Sequence, residues 1–82
     1  MATEYADRDF LEFIIKSIVD HPEEVTVDVQ GEEGRTVFLI HANSQDYGKI
    51  IGKNGRIISA LRDLIKLMAT KENLYVDLVI AE

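Results

Sequence analysis

The chain has 82 residues and a formal net charge of −6, from 15 acidic and 9 basic side chains. Its apolar content of 46% is normal for a globular protein, and we expect one domain over residues 1–82. The absence of cysteine excludes disulfides, thiolate catalysis and most structural zinc sites. No run reaches the roughly 18 apolar residues of a membrane span, and residues 1–9 lack the apolar core of a signal peptide. We therefore expect a cytoplasmic protein.

The first part of the sequence predicts a helix followed by a strand. Apolar residues recur at helical spacing from Phe10 to Ile18, and Asp7 is the expected N-cap. His21-Pro22 should end this helix, because a residue before proline avoids the α region. Alternating valines over 25–30 predict a strand with one solvent-facing side, and residues 31–34 predict a hairpin loop.

The remaining sequence predicts a second strand, two helices and a third strand. Residues 36–42 form the second strand, and Ser44 caps a short helix that ends at Ile51. A longer helix is predicted over 56–70, then a turn over 71–73 and a strand over 74–80. The predicted core stripe of the longer helix is Ile57, Ile58, Leu61, Leu64, Ile65 and Met68.

These elements predict an α+β fold in the order helix-strand-strand-helix-helix-strand. A three-stranded sheet with the helices packed on one face accounts for the patterns. The first two strands should pair as a hairpin. The third strand follows two helices, so it can run parallel to a neighbour, and the sequence leaves its position in the sheet open.

A glycine-containing turn stands at the centre of the sequence. Residues 48–58 read GKIIGKNGRII, which places Gly52 and Gly55 three residues apart, just before the longer helix. Glycine permits positive φ and close approach by another backbone. The N-terminus of a helix carries about half a positive charge and favours anions, above all phosphate. Lys53 and Arg56 beside this turn favour a sugar-phosphate chain as the ligand.

The charge distribution agrees with an anion-binding segment. Residues 49–71 hold six of the nine basic residues and one of the fifteen acidic ones, so this segment carries +5 and the rest of the chain −11. Such asymmetry suggests a local anion-binding face on an acidic body. The acidic remainder should repel non-specific polyanions and keep affinity modest.

The segment I-I-G-K-N-G-R-I-I resembles the core of a KH domain, whose G-x-x-G loop clamps a stretch of about four nucleotides. The order of elements resembles the type II KH fold. In size the chain is similar to the small bacterial single-KH proteins of the KhpA family. The resemblance implies single-stranded RNA binding, a role as RNA chaperone or post-transcriptional regulator, and a link to cell elongation and division.

We expect RNA contacts around the glycine turn. The predicted contact residues are Lys49, Ile51, Gly52, Lys53, Asn54, Gly55, Arg56 and Lys66. By the resemblance, Ile51 and the second strand around Phe38 and Ile40 border an apolar groove for bases. For Arg62 and Lys66, a cationic strip and an ordinary solvated helix face remain equally open interpretations.

The longer helix is more apolar than one sheet requires. With Ala60, Leu67 and Ala69 included, its apolar arc spans about 200°, against the roughly 100° that packing on one sheet needs. The predicted interface residues are Ala60, Leu64 and Leu67. Self-association is one interpretation, and a helix sunk deeply into the core is the other. The resemblance implies a homodimer or a heterodimer with a larger KH protein of the KhpB type.

Catalysis has no candidate in this sequence. His21 and His41 are isolated, no nucleophile stands beside a base, and we expect no cofactor, metal or small-molecule substrate. A P-loop needs four residues between its glycines, and Gly48 and Gly52 have three. Helix-turn-helix binding to duplex DNA is disfavoured because this turn starts no side-chain-rich recognition helix. The two hypotheses are a non-catalytic RNA-binding protein and a dimerisation module with weak or no RNA binding.

Overall fold

The structure is a computed structural model that describes residues 3–32, 34–69 and 75–81, with the side chains of 6–31, 34–68 and 75–81. Within these residues, three α-helices and three strands follow the predicted order. The helices are α1 (Thr3–Ile18), α2 (Tyr47–Ile51) and α3 (Arg56–Ala69), and the strands are β1 (Thr26–Glu32), β2 (Arg35–His41) and β3 (Tyr75–Ile80). Short 3₁₀ turns at Pro22–Glu24, Ser44–Asp46 and Lys53–Gly55 precede β1, α2 and α3.

The sheet places β2 between the other two strands. β1 and β2 pair antiparallel, from Thr26 opposite His41 to Glu32 opposite Arg35. β3 pairs with β2 in parallel, because the chain crosses over the sheet through α2 and α3 before it returns. The hairpin prediction is confirmed, and the position of the third strand, which the sequence left open, is beside β2.

The core lies between this sheet and the helices. α1 packs on β1, α3 packs on β3, and the two long helices lie beside each other. Phe38 and Ile40, from the central strand, are fully buried at the middle of this layer. The buried apolar residues are Leu11, Ile15, Val25, Val27, Phe38, Ile40, Ile50, Leu61, Ile65, Val76 and Leu78. The α+β prediction with helices on one face is confirmed.

The other face of the sheet carries the alternate residues of each strand. Val37 and Leu39 are partly buried there, while Val79 of the edge strand is exposed. Arg35 lies over the ring of Tyr75, with its guanidinium carbon 5.2 Å from the ring centroid. This cation–π contact covers part of an otherwise open sheet face.

Several predicted boundaries were wrong. Asp7 is buried inside α1, which begins at Thr3, and Glu4 and Ala6 before it are good helix formers that favour this earlier start. Asn43, not Ser44, caps the turn before α2, since its side chain accepts the N–H of Gln45 at 2.8 Å. The two strands of the hairpin extend further than predicted, so its loop is shorter than residues 31–34. The predicted turn at 71–73, and the predicted ends of the flanking elements at residues 70 and 74, lie outside the described residues.

Candidate nucleic-acid interface

The turn between α2 and α3 has the backbone geometry that its glycines favour. Gly52 adopts φ 79° and ψ 169°, a region that is essentially restricted to glycine. Asn54 is left-handed, with φ 58° and ψ 26°, and Gly55 has φ 72°. Asparagine is among the few other residues that adopt a left-handed conformation readily. The residues of the turn therefore match its unusual backbone.

Gly52 is required for space as well as for conformation. A Cβ added at Gly52 would lie 2.5 Å from Cγ1 of Ile57 and 2.8 Å from its backbone nitrogen. A Cβ added at Gly55 would meet no atom within 4 Å. The close approach of Gly52 to Ile57 joins the two helices tightly, whereas Gly55 needs only its positive φ.

The turn offers two backbone donors to a ligand. The N–H of Gly52 donates to the carbonyl of Gly48 at 2.8 Å, and that of Gly55 donates to the carbonyl of Gly52 at 3.1 Å. The N–H of Arg56 is also engaged, by the carbonyl of Lys53. No acceptor within the described chain bonds the N–H groups of Lys53 and Asn54. The turn itself therefore has two donors that are free within the described chain, in addition to the helix start that the sequence predicts as an anion site.

The predicted cations divide into paired and solvent-facing groups. Lys53, Arg56 and Lys66 are exposed, and within the described residues none of them forms an ion pair. The ammonium of Lys49 lies 3.1 Å from an Asp20 carboxylate oxygen, and both side chains are solvent-exposed. An exposed pair of this kind contributes at most about 1 kcal/mol, so a phosphate can replace the carboxylate.

Arg62 does not extend the cationic surface. Its Nε donates to Oδ1 of Asp77 on the edge strand β3 at 3.1 Å. The same carboxylate oxygen accepts the N–H of Leu78 at 2.8 Å. Of the two interpretations that the sequence left open for Arg62, the structure favours a local structural role.

A buried carboxylate fixes the segment that leads into the turn. Asp46, immediately before α2, is 1% exposed. Its oxygens accept the N–H groups of Asp20 at 3.2 Å and His21 at 3.0 Å. One oxygen also lies 3.1 Å from Nδ1 of His21. These bonds tie the C-terminal end of α1 to the start of α2 and thereby position the turn.

The bonds between Asp46 and His21 shift the pKa of each side chain. Burial alone would raise the pKa of Asp46, but the N–H of Asp20 and the side chain and N–H of His21 lower it below its usual 3.8. The hydrogen bond to Asp46 raises the pKa of His21 above its usual 6.5, although burial opposes this. Sequence reasoning missed Asp46, whose only signal is an acidic residue before a short helix.

The exposed apolar residues beside the turn are not the full set that the resemblance implied for a base-binding groove. Ile51 and Ile57 are 39% and 38% exposed on either side of Gly52, while Ile50 is fully buried as predicted. The expectation that Phe38 and Ile40 contact bases was wrong, because both side chains are fully buried in the core. The apolar side chains exposed beside the turn are Ile51 and Ile57 instead.

The two histidines have protein partners. His41 Nε2 lies 2.9 Å from Oδ2 of Asp28 across the β1–β2 pair, and His21 bonds Asp46 as described above.

Among the described residues, no three His, Cys, Asp or Glu side chains gather as metal ligands. In the same residues, no helix combines the length and the apolar character that crossing a membrane requires.

Comparison with known proteins identifies the family. A family model described as "KhpA/KhpB, KH domain" matches residues 8–80. The chain belongs to this family. It is 45% identical over 76 residues to "RNA-binding protein KhpA" of Chlamydia caviae, covering 92% of this chain and 96% of that protein. The protein of the same description from Oceanobacillus iheyensis is 38% identical over 71 residues, which cover 84% of this chain and 95% of that protein. The one from Thermotoga maritima is 44% identical over 61 residues, which cover 74% of this chain and 81% of that protein. No solved structure gives a significant match.

The family assignment confirms the resemblance seen in I-I-G-K-N-G-R-I-I, and the fold is an α+β KH-like fold. The structure brings seven of the eight predicted contact residues together, over 49–56 between α2 and the first residue of α3. Lys66 lies ten positions further along α3, which corresponds to about 15 Å at 1.5 Å per residue. Lys66 is therefore remote from the turn of this KH domain.

α3 of the KH domain carries a second apolar stripe beside the buried one. The inner stripe, Ile58, Leu61, Ile65 and Met68, packs in or against the core. The outer stripe, Ile57, Ala60, Leu64 and Leu67, is exposed, with Leu64 at 43% and Leu67 at 67%. The prediction that Ile57 and Leu64 belong to the core stripe was therefore wrong. The exposure of the outer stripe also disfavours the interpretation of α3 as a deeply sunk helix.

Proposed function

We propose that this protein binds single-stranded RNA without catalysis and holds the sugar-phosphate backbone on the Gly52–Gly55 turn. By its family, its role is that of an RNA chaperone or post-transcriptional regulator, with a link to cell elongation and division. The relatives described above are named as RNA-binding proteins, which supports the class of ligand. The cytoplasmic location expected from the sequence stays a prediction.

The observation that carries this proposal is the pair of outward amides at the turn. The N–H groups of Lys53 and Asn54 have no acceptor among the described residues, and both side chains are exposed. A phosphate can accept both N–H groups while the ammonium of Lys53 supplies the opposite charge. Arg56, one turn away, is placed for the next phosphate. Backbone contacts of this kind give affinity with little base discrimination.

Replacing Lys53 and Asn54 by aspartate tests the proposal. The double variant Lys53→Asp/Asn54→Asp should bind a single-stranded RNA oligonucleotide at least about tenfold more weakly in a gel shift, because two carboxylates would face the phosphate. The fold should persist in circular dichroism, since both side chains are exposed and aspartate tolerates the left-handed conformation of Asn54.

A charge-matched control separates local from global electrostatics. Lys16→Asp/Gln30→Asp changes the net charge by the same amount at exposed positions of α1 and β1. We expect this control to keep most of the affinity. Equal losses in the two double variants would show that total charge, not the turn, determines binding. An unchanged affinity in the folded turn variant contradicts the phosphate clamp.

A second candidate function is protein interaction through α3. The observation that favours it is the exposure of Leu64 and Leu67 on the outer stripe. Exposed apolar strips of this kind mark interaction surfaces on soluble proteins. The partner is a second copy of the chain or a larger KH protein of the KhpB type. This function is compatible with RNA binding, because the outward groups of the turn precede α3.

Light scattering tests the second candidate. Leu67→Glu should convert a dimer to a monomer, because a carboxylate buried in an apolar seam is costly unless it is paired. Ala60→Glu, on the same stripe, should act in the same direction. The fold should survive both changes, since the inner stripe stays apolar. A wild-type protein that is monomeric at high micromolar concentration would exclude the homodimer, and unfolding of both variants would show that the outer stripe is ordinary core.

A further inference from the structure

Lys49, one of the cations beside the turn, is already bound to an anion of the chain itself. Its ammonium lies 3.1 Å from a carboxylate oxygen of Asp20. Lys53 and Arg56 are exposed, and within the described residues neither forms an ion pair. A phosphate at Lys53 therefore meets a solvent-facing ammonium, whereas a phosphate at Lys49 meets an ion pair whose charges cancel.

The backbone of Asp20 is held in place from the buried side. Its N–H donates to Oδ1 of Asp46 at 3.2 Å, and Asp46 is 1% exposed. Lys49 follows Asp46 by about one helical turn, so both contacts of Asp20 come from nearly the same side of α2. Because this backbone is fixed, the pair loses less conformational entropy on forming than two unrestrained surface side chains would.

The position of Asp20 is unfavourable for an anion that has no cationic partner. α1 ends at Ile18, and the C-terminal end of a helix carries about half a negative charge. The exposed acidic residues Glu23 and Glu24 follow in the next turn of the chain. The stability of α1 therefore does not account for an aspartate here, which leaves its contact with Lys49 to be explained.

We propose that Asp20 is an internal competitor of RNA: its carboxylate takes the place of a phosphate on Lys49 in the free protein and is displaced when RNA binds. This inference rests on the RNA-binding function proposed above. It assigns to that site a residue that limits its affinity.

The exchange of carboxylate for phosphate is feasible because the pair lies at the surface. The side chain of Lys49 is 48% exposed and that of Asp20 is 67% exposed. Carboxylate and phosphate oxygens make the same kind of charge-assisted hydrogen bond to an ammonium. The displaced carboxylate returns to water and is not left buried, which would be costly. The gain from Lys49 on RNA binding is therefore only the difference between two similar contacts.

A second aspartate on α1 provides a matched comparison. Asp9 is 68% exposed and also has a cationic partner, Arg8, at 2.8 Å. It lies roughly 14 Å before the end of α1, at 1.5 Å per residue, and Arg8 is directed to the carbonyl of Val27 on the edge strand β1. The two aspartates thus agree in charge and exposure and differ in their distance from the turn.

Fluorescence anisotropy with a single-stranded RNA oligonucleotide and the variant Asp20→Asn tests the proposal. In about 0.1 M salt the affinity should rise about two- to fivefold, the range expected for the loss of one exposed ion pair. Asparagine keeps the N–H that Asp46 accepts, so thermal melts should show an intact fold. Asp9→Asn changes the charge equally and should leave the affinity within about 1.5-fold of the wild type, because it lies beyond the screening length of about 10 Å.

Lys49→Gln separates competition for the ammonium from simple repulsion of RNA. In a protein that carries Lys49→Gln, the further change Asp20→Asn should have no more effect than Asp9→Asn. Glu23→Gln removes a neighbouring carboxylate that is not the partner of Lys49, and it should raise affinity less than Asp20→Asn does. Equal gains from Asp20→Asn with and without Lys49 would mean that Asp20 only repels phosphate through space, which would overturn the competition.

The response to salt gives an independent measurement. Asp20→Asn should steepen the slope of log affinity against log salt by up to about 0.7, the value of one further phosphate contact on a single strand. Its advantage over the wild type should therefore shrink as salt rises. A gain in affinity that persists unchanged across the salt series would contradict the release of Lys49.

Failure of this inference can be distinguished from failure of the phosphate clamp. If Lys53→Asp/Asn54→Asp loses RNA affinity while Asp20→Asn binds like the wild type, the clamp stands and the role of Asp20 is overturned. If the turn variant keeps its affinity, the clamp is overturned, and the role of Asp20 as its competitor with it.

Discussion

At its N-terminal end, α3 emerges from a polar turn in which the amides and side chains of Lys53 and Asn54 face solvent. Along its outward side, the same helix exposes Leu64 and Leu67. The two regions are adjacent in sequence, since the turn leads directly into α3, but they suit opposite kinds of ligand. The turn offers donors and positive charge, whereas the outer stripe offers only apolar area.

If both proposed functions hold, one 14-residue helix and the turn before it serve two partners without conflict. A ligand at the turn is bound by charge and by hydrogen bonds, which salt weakens. A ligand on the outer stripe is bound by removing apolar surface from water, which salt does not weaken. The two regions therefore differ in their response to conditions as well as in position.

The largest expected effect is on the free energy of unfolding, and it should distinguish the inner stripe of α3 from the outer stripe. Leu61→Ala should lower the free energy of unfolding by about 2–5 kcal/mol, because Leu61 is buried in the core. Leu64→Ala should cost less than about 1 kcal/mol in the monomer, because the leucine is already 43% exposed. Urea denaturation at low protein concentration measures both. Similar losses for the two variants would mean that the outer stripe is part of the core.

The second-largest expected effect is the difference in stability between variants of the two glycines of the turn. Gly52→Ala should destabilise the fold by about 2–4 kcal/mol and abolish RNA binding, since it combines a disfavoured backbone with the close contact to Ile57. Gly55→Ala should cost only about 1–2 kcal/mol, because the added methyl group has open space. Thermal unfolding ranks the two variants. The reverse order would contradict the geometry of the turn.

The fold was largely predictable because its signals are local. Helical spacing in α1, the alternating valines of β1 and the glycines before α3 each depend on a few neighbouring residues. The position of β3 was not predictable, because a crossover through two helices allows either side of the hairpin. Asp7 and Ser44 show a further limit, since several neighbouring residues can cap a helix and the surrounding structure selects one of them.

The backbone geometry of the turn was predictable from its glycines, whereas its RNA contacts stay a prediction. Sequence reasoning failed where the outcome depends on contacts between distant residues. The inner and outer stripes of α3 have the same spacing of three, four and three residues, so periodicity cannot show which one the sheet covers. Arg62 looked like Lys66 in sequence, but only Arg62 lies near Asp77. Asp46 bonds residues 25 and 26 positions away, and no local pattern reports such a contact.

Salt provides the most direct way to separate the turn from the outer stripe. If two or three of Lys49, Lys53 and Arg56 contact phosphates, log affinity for single-stranded RNA should fall with log salt at a slope of about −1.4 to −2.1. The dimer constant should change little or improve with salt, because each copy carries −6. Fluorescence anisotropy and sedimentation across one salt series measure both. A flat RNA response would assign the affinity to stacking and groove contacts.

The smallest effect concerns the bond between His21 and Asp46, which supports the turn but not the outer stripe. The pKa of His21 is raised in the folded protein, so its contribution to stability should be fully present below about pH 6.5 and lost as pH rises through the raised value. The pKa of Asp46 is lowered, so its contribution should be present above its usual 3.8 and lost as pH falls through the lowered value. Stability should therefore be greatest between these two limits.

Unfolding midpoints measured from pH 5 to pH 9 test the histidine half of this expectation. In the wild type the midpoint should decline modestly above neutrality. His21→Gln should flatten that decline, because glutamine cannot take up a proton. His41→Gln is the matched control, since His41 pairs with Asp28 on the sheet and not with the segment before α2. A decline that persists in His21→Gln and disappears in His41→Gln would show that the sheet, rather than the support of the turn, is sensitive to pH.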